Sequence, residues 1–525
     1  MRPERLPFPI KIESELWLDE AIWGHRLYNE QTPWMTLLEM LGIAATQAGP
    51  RRFEEPEGYP GVDYQPVRRM ALRSILFNAP FLDDTLRRHT DDDARWDAWL
   101  SSMKKATDEL PGEFDFTYLR TLFPKRPGGG DGSFVDFVEV VKLLRTTAIE
   151  GDSNKRWTSK FVFPYGPACL FPDLRLVKKG ELNADRRFFA RNGELVYLML
   201  CRSGRGPALD EALRTVALNP TASWNRLVER LQPPAEQSPS VGPVQHTGYL
   251  PYPTLPDYGA FADDLLVLMR LGLPGYDVLP HLVDMIGLHL VLYLLRRAAE
   301  WTPNEGHVRL VMEIVAPKKT TVRDLAVECF TANTQRTSKA VDAYISDVVV
   351  RSPMWERALA QEDSTERWEM MRAALSDAIR LDAEKHGLPT APDACLDEVR
   401  AKAKRRHGEH LGEAHTAYAQ AIGLASRRGT RRMRYAPSDQ LLKTLVFTVV
   451  GERMEFQHFL AALFERYGMV IGPRQAEYLI RDGSADRAAF DDNAYRLEMR
   501  LASLGLLRRL SDACAYVENP MKAPK

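Results

Sequence analysis

The sequence predicts a mainly α, multidomain protein with minor β elements and a C-terminal winged-helix-like domain. Three observations lead to that class. The chain has 525 residues, whereas a single hydrophobic core stops growing at roughly 250–300 residues, so several domains are expected. Most of the apolar patterning recurs at three- and four-residue spacing, the period of an amphipathic helix. Residues 435–525 read as several helices followed by a strand pair, the element order of a winged helix.

Residues 1–150 read as an aromatic-rich helical domain. Trp17, Trp23 and Trp34 lie close together, and WMTLLEMLGIAATQ places Leu37, Leu38 and Leu41 on one helical face. The stretch DDDARWDAWLSSMKKATDEL opens on an acidic cap and carries Trp96, Trp99 and Met103 at helical spacing. SFVDFVEVVKLLRTTA follows the glycine run Gly128–Gly130 and begins at a serine suited to cap a helix. Residues 151–232 form a mixed α/β segment. Within RRFFARNGELVYLML, Asn192-Gly193 separates two β-prone runs, which predicts a hairpin turn. Residues 233–256 are dense in Pro, Ser and Gly and read as a linker.

Residues 257–434 read as a second helical domain ending in a basic segment. Its most apolar stretch, Leu282–Leu295, is shorter than the ~20 residues of a membrane span and is interrupted by Asp284 and His289, so a buried core helix is expected. HVRLVMEIVAP alternates like a strand. A long helical stretch then runs from Val322 to His386, broken near Pro353. In the last domain Ser438 caps PSDQLLKTLVFTVV, and MEFQHFLAALFERYG ends at Gly468. RAAFDDNAYRLEMRLASLG is the helix a winged helix would lay in a major groove, and LLRRLSDACAYVEN supplies two short strands.

Composition narrows the function classes. The hydrophobic fraction is 45% and the charged fraction 27%, values of a globular protein that exclude wholesale disorder. The net charge of −1 means that affinity for nucleic acid must come from a local patch. Five scattered cysteines without a CxxC pair fit reduced thiols in a cytosol better than disulfides or a zinc site. MRPERLPFPIKIE has no apolar core of a signal peptide.

One segment carries a binding signal. Between Arg400 and Arg434 stand ten basic residues and two acidic ones, Glu409 and Glu413. Phosphate binding needs cations clustered on one surface, with affinity driven by counterion release. The nucleic-acid-binding candidates are therefore Arg405, Arg406, Arg427, Arg428, Arg431, Arg432 and Arg434, assisted by Arg496 and Arg500 on the last long helix. The bland reading is a solvated basic face or a dock for an acidic partner.

No catalytic or metal site is expected. His407, His410 and His415 fall near Glu409 and Glu413 but lack HExxH order, and they read better as surface histidines. His281 and His289 share the most apolar helix with Asp284 and, without a nucleophile, read as core residues. GGGDG at Gly128–Gly132 lacks the Lys-Ser/Thr of a phosphate loop, and Gly204 and Gly206 precede a helix that Pro207 explains. Asp173 and Glu194 lack the Glu-x-Lys of a metal-dependent nuclease, because Leu195 and Val196 follow Glu194. No cofactor is expected.

GHRLYNEQTPWMTLLEMLGI near the N-terminal end, with YAPSDQLLKTLVF and ERYGMVIGPRQAEYL near the C-terminal end, resembles large subunits of bacterial multi-gene anti-phage systems. The nearest class is the methylation-associated defence system, with phosphorothioation-dependent restriction components second. The resemblance implies work beside ATPase, methyltransferase or nuclease subunits, and it carries over no catalytic residues. The resulting expectation is a non-catalytic accessory or scaffold subunit, cytoplasmic and DNA-contacting. The alternatives are a protein-binding adaptor, or an enzyme such as a nuclease or other hydrolase whose site distant residues assemble.

Overall fold

The structure, a computed structural model, describes residues 3–9, 15–25, 27–47, 52–56, 60–77, 82–110, 112–124, 133–146, 164–170, 174–184, 191–233, 242–315, 320–427, 432–511 and 514–522. Helices dominate the described residues and strands are few and short.

Helix α1 (Pro33–Thr46) begins where Thr32 accepts the Met35 amide and Pro33 supplies the first helical residue. Helix α2 (Asn192–Cys201) packs against it, followed by α3 (Pro256–Met269). Around α4 (Gly275–Trp301) the rest is assembled, and α1, α3, α5 (Thr321–Ile345), α7 (Leu411–Ala421) and α8 (Asp439–Val449) all pack on it, while α6 (Pro392–Glu409) packs on α5 and α7. Among the described residues α4 is the one helix long and apolar enough to cross a membrane, and its most apolar window is 94% buried within the protein. An all-round apolar helix is what the centre of a large core requires.

Of the expected strand at His307–Pro317, β5 (Leu310–Val311) runs parallel to β9 (Met469–Val470), and beyond it the Met312 amide donates to the Val470 carbonyl and the Glu313 amide to the Tyr435 carbonyl, while residues 316 and 317 lie outside the described residues. The expected long helix from Val322 is α5, then a π-helical turn at Ser346–Val350, then a helix capped by Ser352 with Pro353 at its start. The remaining small sheets pair β1 (Asp63–Tyr64) with β4 (Gln245–His246), β2 (Leu174–Lys178) with β3 (Glu181–Ala184), and β6 (Ala425–Ser426) with β7 (Arg434–Tyr435).

Asn192-Gly193 is not a hairpin turn. It starts α2, because that helix N-terminus docks on α1. The Gly193 amide donates to Glu39 at 2.7 Å, and a Cβ at Gly193 would lie 2.5 Å from the Glu39 Cβ. The nearby hairpin is β2–β3, turning at Lys179-Gly180. GGGDG, Asp173 and most of the β-prone run before Arg191 lie outside the described residues. In the Pro/Ser/Gly-rich stretch, Leu250 and Tyr252 are buried, and Tyr252 donates to the Ile22 carbonyl at 3.0 Å.

One continuous hydrophobic cluster runs from Leu16 to Val517. Trp23, Trp96 and Trp99 are wholly buried in it. The Trp23 indole donates to the Leu294 carbonyl on α4 at 2.9 Å.

The C-terminal unit runs α8, β8 (Arg453–Glu455), α9 (Phe456–Tyr467), β9, α10 (Glu477–Arg481), α11 (Arg487–Ser503), β10 (Leu507–Ser511) and β11 (Cys514–Glu518). Strands β8, β10 and β11 form a three-stranded antiparallel sheet in the order β10-β11-β8, with Leu507 opposite Val517 and Tyr516 opposite Glu455. Helix α11 turns Phe490, Leu497 and Leu501 inward. Its buried Asn493 accepts the Ile314 amide at 2.9 Å and donates to the Met312 and Ile471 carbonyls.

Candidate nucleic-acid interface

The basic segment divides between α6, α7 and the hairpin β6–β7, and these elements sort its arginines by destination. On α6, whose buried stripe is Cys395, Val399, Ala403 and His407, Arg406 turns inward to a bidentate pair with the buried Glu20. Arg405 stays exposed, 3.7 Å from Glu398. At the base of the hairpin Arg434 is 1% exposed and pairs with Glu313, whose other oxygen takes Arg323 at 2.7 Å. Arg427 and Arg432 are exposed on the two arms of the hairpin. Arg428 and Arg431 lie outside the described residues. Arg405, Arg427 and Arg432 are therefore the described members of the cluster that face water, while Arg406 and Arg434 hold the fold.

The last long helix presents a different surface. Arg496 pairs with Asp492 at 3.5 Å and Arg500 with Asp439 at 2.6 Å, while Arg509 on β10 pairs with Glu498 at 2.9 Å. Tyr495, Met499 and Leu510 are each more than half exposed beside them. Exposed pairs of this kind are individually weak, yet they lower the positive field available to a phosphate backbone.

The histidines fall elsewhere than expected. His407 and His415 are buried, not on the surface, because both sit on the inward faces of α6 and α7. His407 reaches Asp19 at 2.9 Å and Thr337 at 3.0 Å. His415 lies 3.0 Å from the Thr334 hydroxyl, which donates to a carbonyl, and 2.8 Å from the Tyr435 hydroxyl; burial holds its pKa down to about 3, so the ring is neutral. His410 is half-buried against Tyr28.

The histidines of α4 are satisfied core residues. The Thr444 hydroxyl donates to Asp284 at 2.7 Å and lies 2.7 Å from His281 Nδ1. Burial lowers His281 to about 4 and raises Asp284 to about 6. His289 Nε2 donates to Asp264 at 2.8 Å, and Tyr467 donates to the same carboxylate. Among the described residues no group of three or more His, Cys, Asp or Glu is placed to hold a metal ion.

Sequence reasoning passed over a polar junction where α1, α2 and α7 meet. Glu39 accepts from Gln31 and from the Gly193 amide. Glu194 accepts from Tyr64 at 2.7 Å, Arg191 at 2.8 Å and the Gly248 amide at 2.6 Å. Burial, then the neighbouring Glu194, pushes the Glu39 carboxyl up to about 8. Asn192 donates to Tyr418 at 2.8 Å, and Tyr418 meets Thr36 at 2.7 Å. The only advance signal was Gln31, Thr36 and Glu39 inside GHRLYNEQTPWMTLLEMLGI, a helix-opening segment with more polar groups than a solvated face needs.

Residues 398–517 match the family of the Methylation-associated defense system protein MAD7. Over that stretch the chain is similar to a component of a defence system, which upholds the resemblance read in the sequence. No curated protein and no solved structure matches the chain.

Proposed function

We propose that the protein is a non-catalytic accessory or scaffold subunit of a bacterial antiviral defence complex, working in the cytoplasm beside ATPase, methyltransferase or nuclease subunits. In this reading it contacts duplex DNA through the β6–β7 hairpin, with the C-terminal unit acting as a winged helix. The observation that carries the defence role is the MAD7 match over residues 398–517, which spans the basic hairpin and the C-terminal unit together. Exposed Arg405, Arg427 and Arg432 support the DNA contact. The sheet β10-β11-β8, packed against α9 and α11, supports the winged helix.

A second reading rests on α11. With its arginines paired to carboxylates and Tyr495 and Met499 exposed, the winged helix would meet a protein, and the subunit would be an adaptor. Binding to duplex DNA across a salt series separates the two. The intact protein should bind with an affinity that falls steeply with salt. Changing Arg427, Arg428, Arg431 and Arg432 together to Ala should flatten the slope by up to about 0.9 for each phosphate no longer neutralised. Absence of binding at low salt would remove the DNA contact and leave the adaptor.

A further inference from the structure

We propose that a groove at the ends of α4 and α5 is a recognition site for an extended, proline-flanked arginine segment of a protein, and that residues 3–9 of this chain occupy it in cis. Those residues read PERLPFP and form no regular secondary structure. Prolines 3, 7 and 9 each fix φ at about −65°. Leu6 and Phe8 precede prolines and are therefore biased to extended backbone. A segment this stiff loses little conformational entropy on docking, which is why proline-rich segments recur as ligands of aromatic-lined grooves.

The groove holds the segment at three points. Arg5 enters a box of rings drawn from three parts of the chain. Its guanidinium carbon lies 4.9 Å from the centroid of Trp301, 5.5 Å from that of Tyr252 and 5.8 Å from that of Tyr344. Trp301 and Tyr344 meet edge to face at 4.8 Å in the last turns of α4 and α5. Arg5 also donates to the Tyr252 hydroxyl at 3.2 Å. None of the three rings is more than 5% exposed, and a cation over desolvated rings is held more strongly than one at an open surface. Burial pushes the nearby Glu300 carboxyl up, while Arg297 and then Arg5 oppose that rise. The second point is backbone: the Leu6 amide donates to the Pro251 carbonyl at 2.7 Å, and the Tyr249 hydroxyl donates to the Leu6 carbonyl at 2.8 Å. The third is Phe8, edge-on to Trp17 at 5.5 Å and beneath the Arg380 guanidinium at 5.8 Å.

Glu4 and Pro7, between the held residues, are exposed. Arg5, Leu6 and Phe8 facing in while their neighbours face out is the pattern of a peptide lying on a surface. Such a hold is small beside that of the packed helices, so the segment can open locally without unfolding them. The opening is bounded at Trp17, whose amide donates to the Ile379 carbonyl at 2.8 Å. An opened groove would show Tyr252, Trp301 and Tyr344 to water, and a partner segment of the same chemistry would cover them again. The planar guanidinium suits the box because it can stack on aromatic faces.

The test is fluorescence anisotropy of a labelled synthetic peptide of residues 3–9, added to the intact protein and to full-length Arg5→Ala/Phe8→Ala. The variant should bind the peptide at least about tenfold more tightly than wild type, because an occupied groove lowers apparent affinity by its open fraction. A peptide that itself carries Arg5→Ala should bind the variant about tenfold more weakly, and that change cannot disturb the protein's fold. Hydrogen exchange on the wild type gives a reading that stands even where the variant misfolds. Excess unlabelled peptide should speed exchange of the Leu6 amide and leave the amides of α4 unchanged. A folded variant that binds no peptide, an Arg5→Ala peptide that binds as tightly, or a Leu6 amide indifferent to excess peptide would overturn the proposal. None of these residues falls within 398–517, so the outcome is independent of the duplex-DNA reading.

Discussion

Arg434 is the arginine of the basic segment whose structural role can be measured most directly. It sits in the basic segment beside Arg432, yet it is 1% exposed and paired with a Glu313 that is equally buried. Replacing Arg434 by Met removes one partner of a buried pair and leaves the Glu313 carboxylate short of a counter-charge. Such a deletion costs about 3–5 kcal/mol. Arg323 remains 2.7 Å from the other Glu313 oxygen, which favours the lower end, ~3 kcal/mol. An unfolding entropy of about 2.1 cal/mol/K per residue, over 525 residues, is ~1.1 kcal/mol/K for cooperative unfolding. The expected drop in Tm is therefore only about 3 °C. Chemical denaturation is the sharper assay, since the same loss moves the urea midpoint with the slope unchanged. Arg427→Ala and Arg432→Ala, at exposed sites, should stay within about 0.5 kcal/mol of wild type. Adding Glu313→Gln to Arg434→Met should recover part of the loss by removing the orphaned charge. A midpoint identical to wild type in Arg434→Met would refute the reasoning.

Two further outcomes follow from the junction of α1, α2 and α7. The Glu39 carboxyl, ordinarily at 4.5, titrates at about 8 in the folded protein, so the folded state binds its proton more tightly than the unfolded chain. Its contribution is fully present below about pH 4.5 and is lost as pH rises through about 8. Glu39→Gln keeps a neutral acceptor for the Gly193 amide. It should therefore melt higher relative to wild type at pH 9 than at pH 5, and a pH-independent difference would contradict the buried, protonated carboxyl. Gly193→Ala would place a Cβ 2.7 Å from the Thr36 carbonyl as well as against Glu39, and overpacking of that kind costs about 1–3 kcal/mol. An unchanged denaturation midpoint in that variant would show that the helices are not so closely docked.

Much of the local architecture was legible in the sequence by itself. The acidic cap of DDDARWDAWLSSMKKATDEL at Asp91, the cap at Ser438 and the stop at Gly468 follow from backbone groups that only particular residues satisfy, and each is where the pattern placed it. The apolar run Leu282–Leu295 could only be buried, and it became the helix on which the others pack. Helical spacing in residues 435–525 likewise set the order of the last helices and strands.

Tertiary structure decided what single-residue chemistry cannot. Asn192-Gly193 satisfies a hairpin turn and a helix start equally well, and Glu39, more than 150 residues away, selects the helix by accepting the Gly193 amide. His407, His415, Arg406 and Arg434 have the composition of a solvated basic face. Their burial depends on Asp19, Thr334, Glu20 and Glu313, each brought near only by the folded chain. Periodicity and capping act over a few residues and can be read in one dimension. The pairing of a buried charge is settled by whichever counter-charge the packing delivers, and that is a property of the fold.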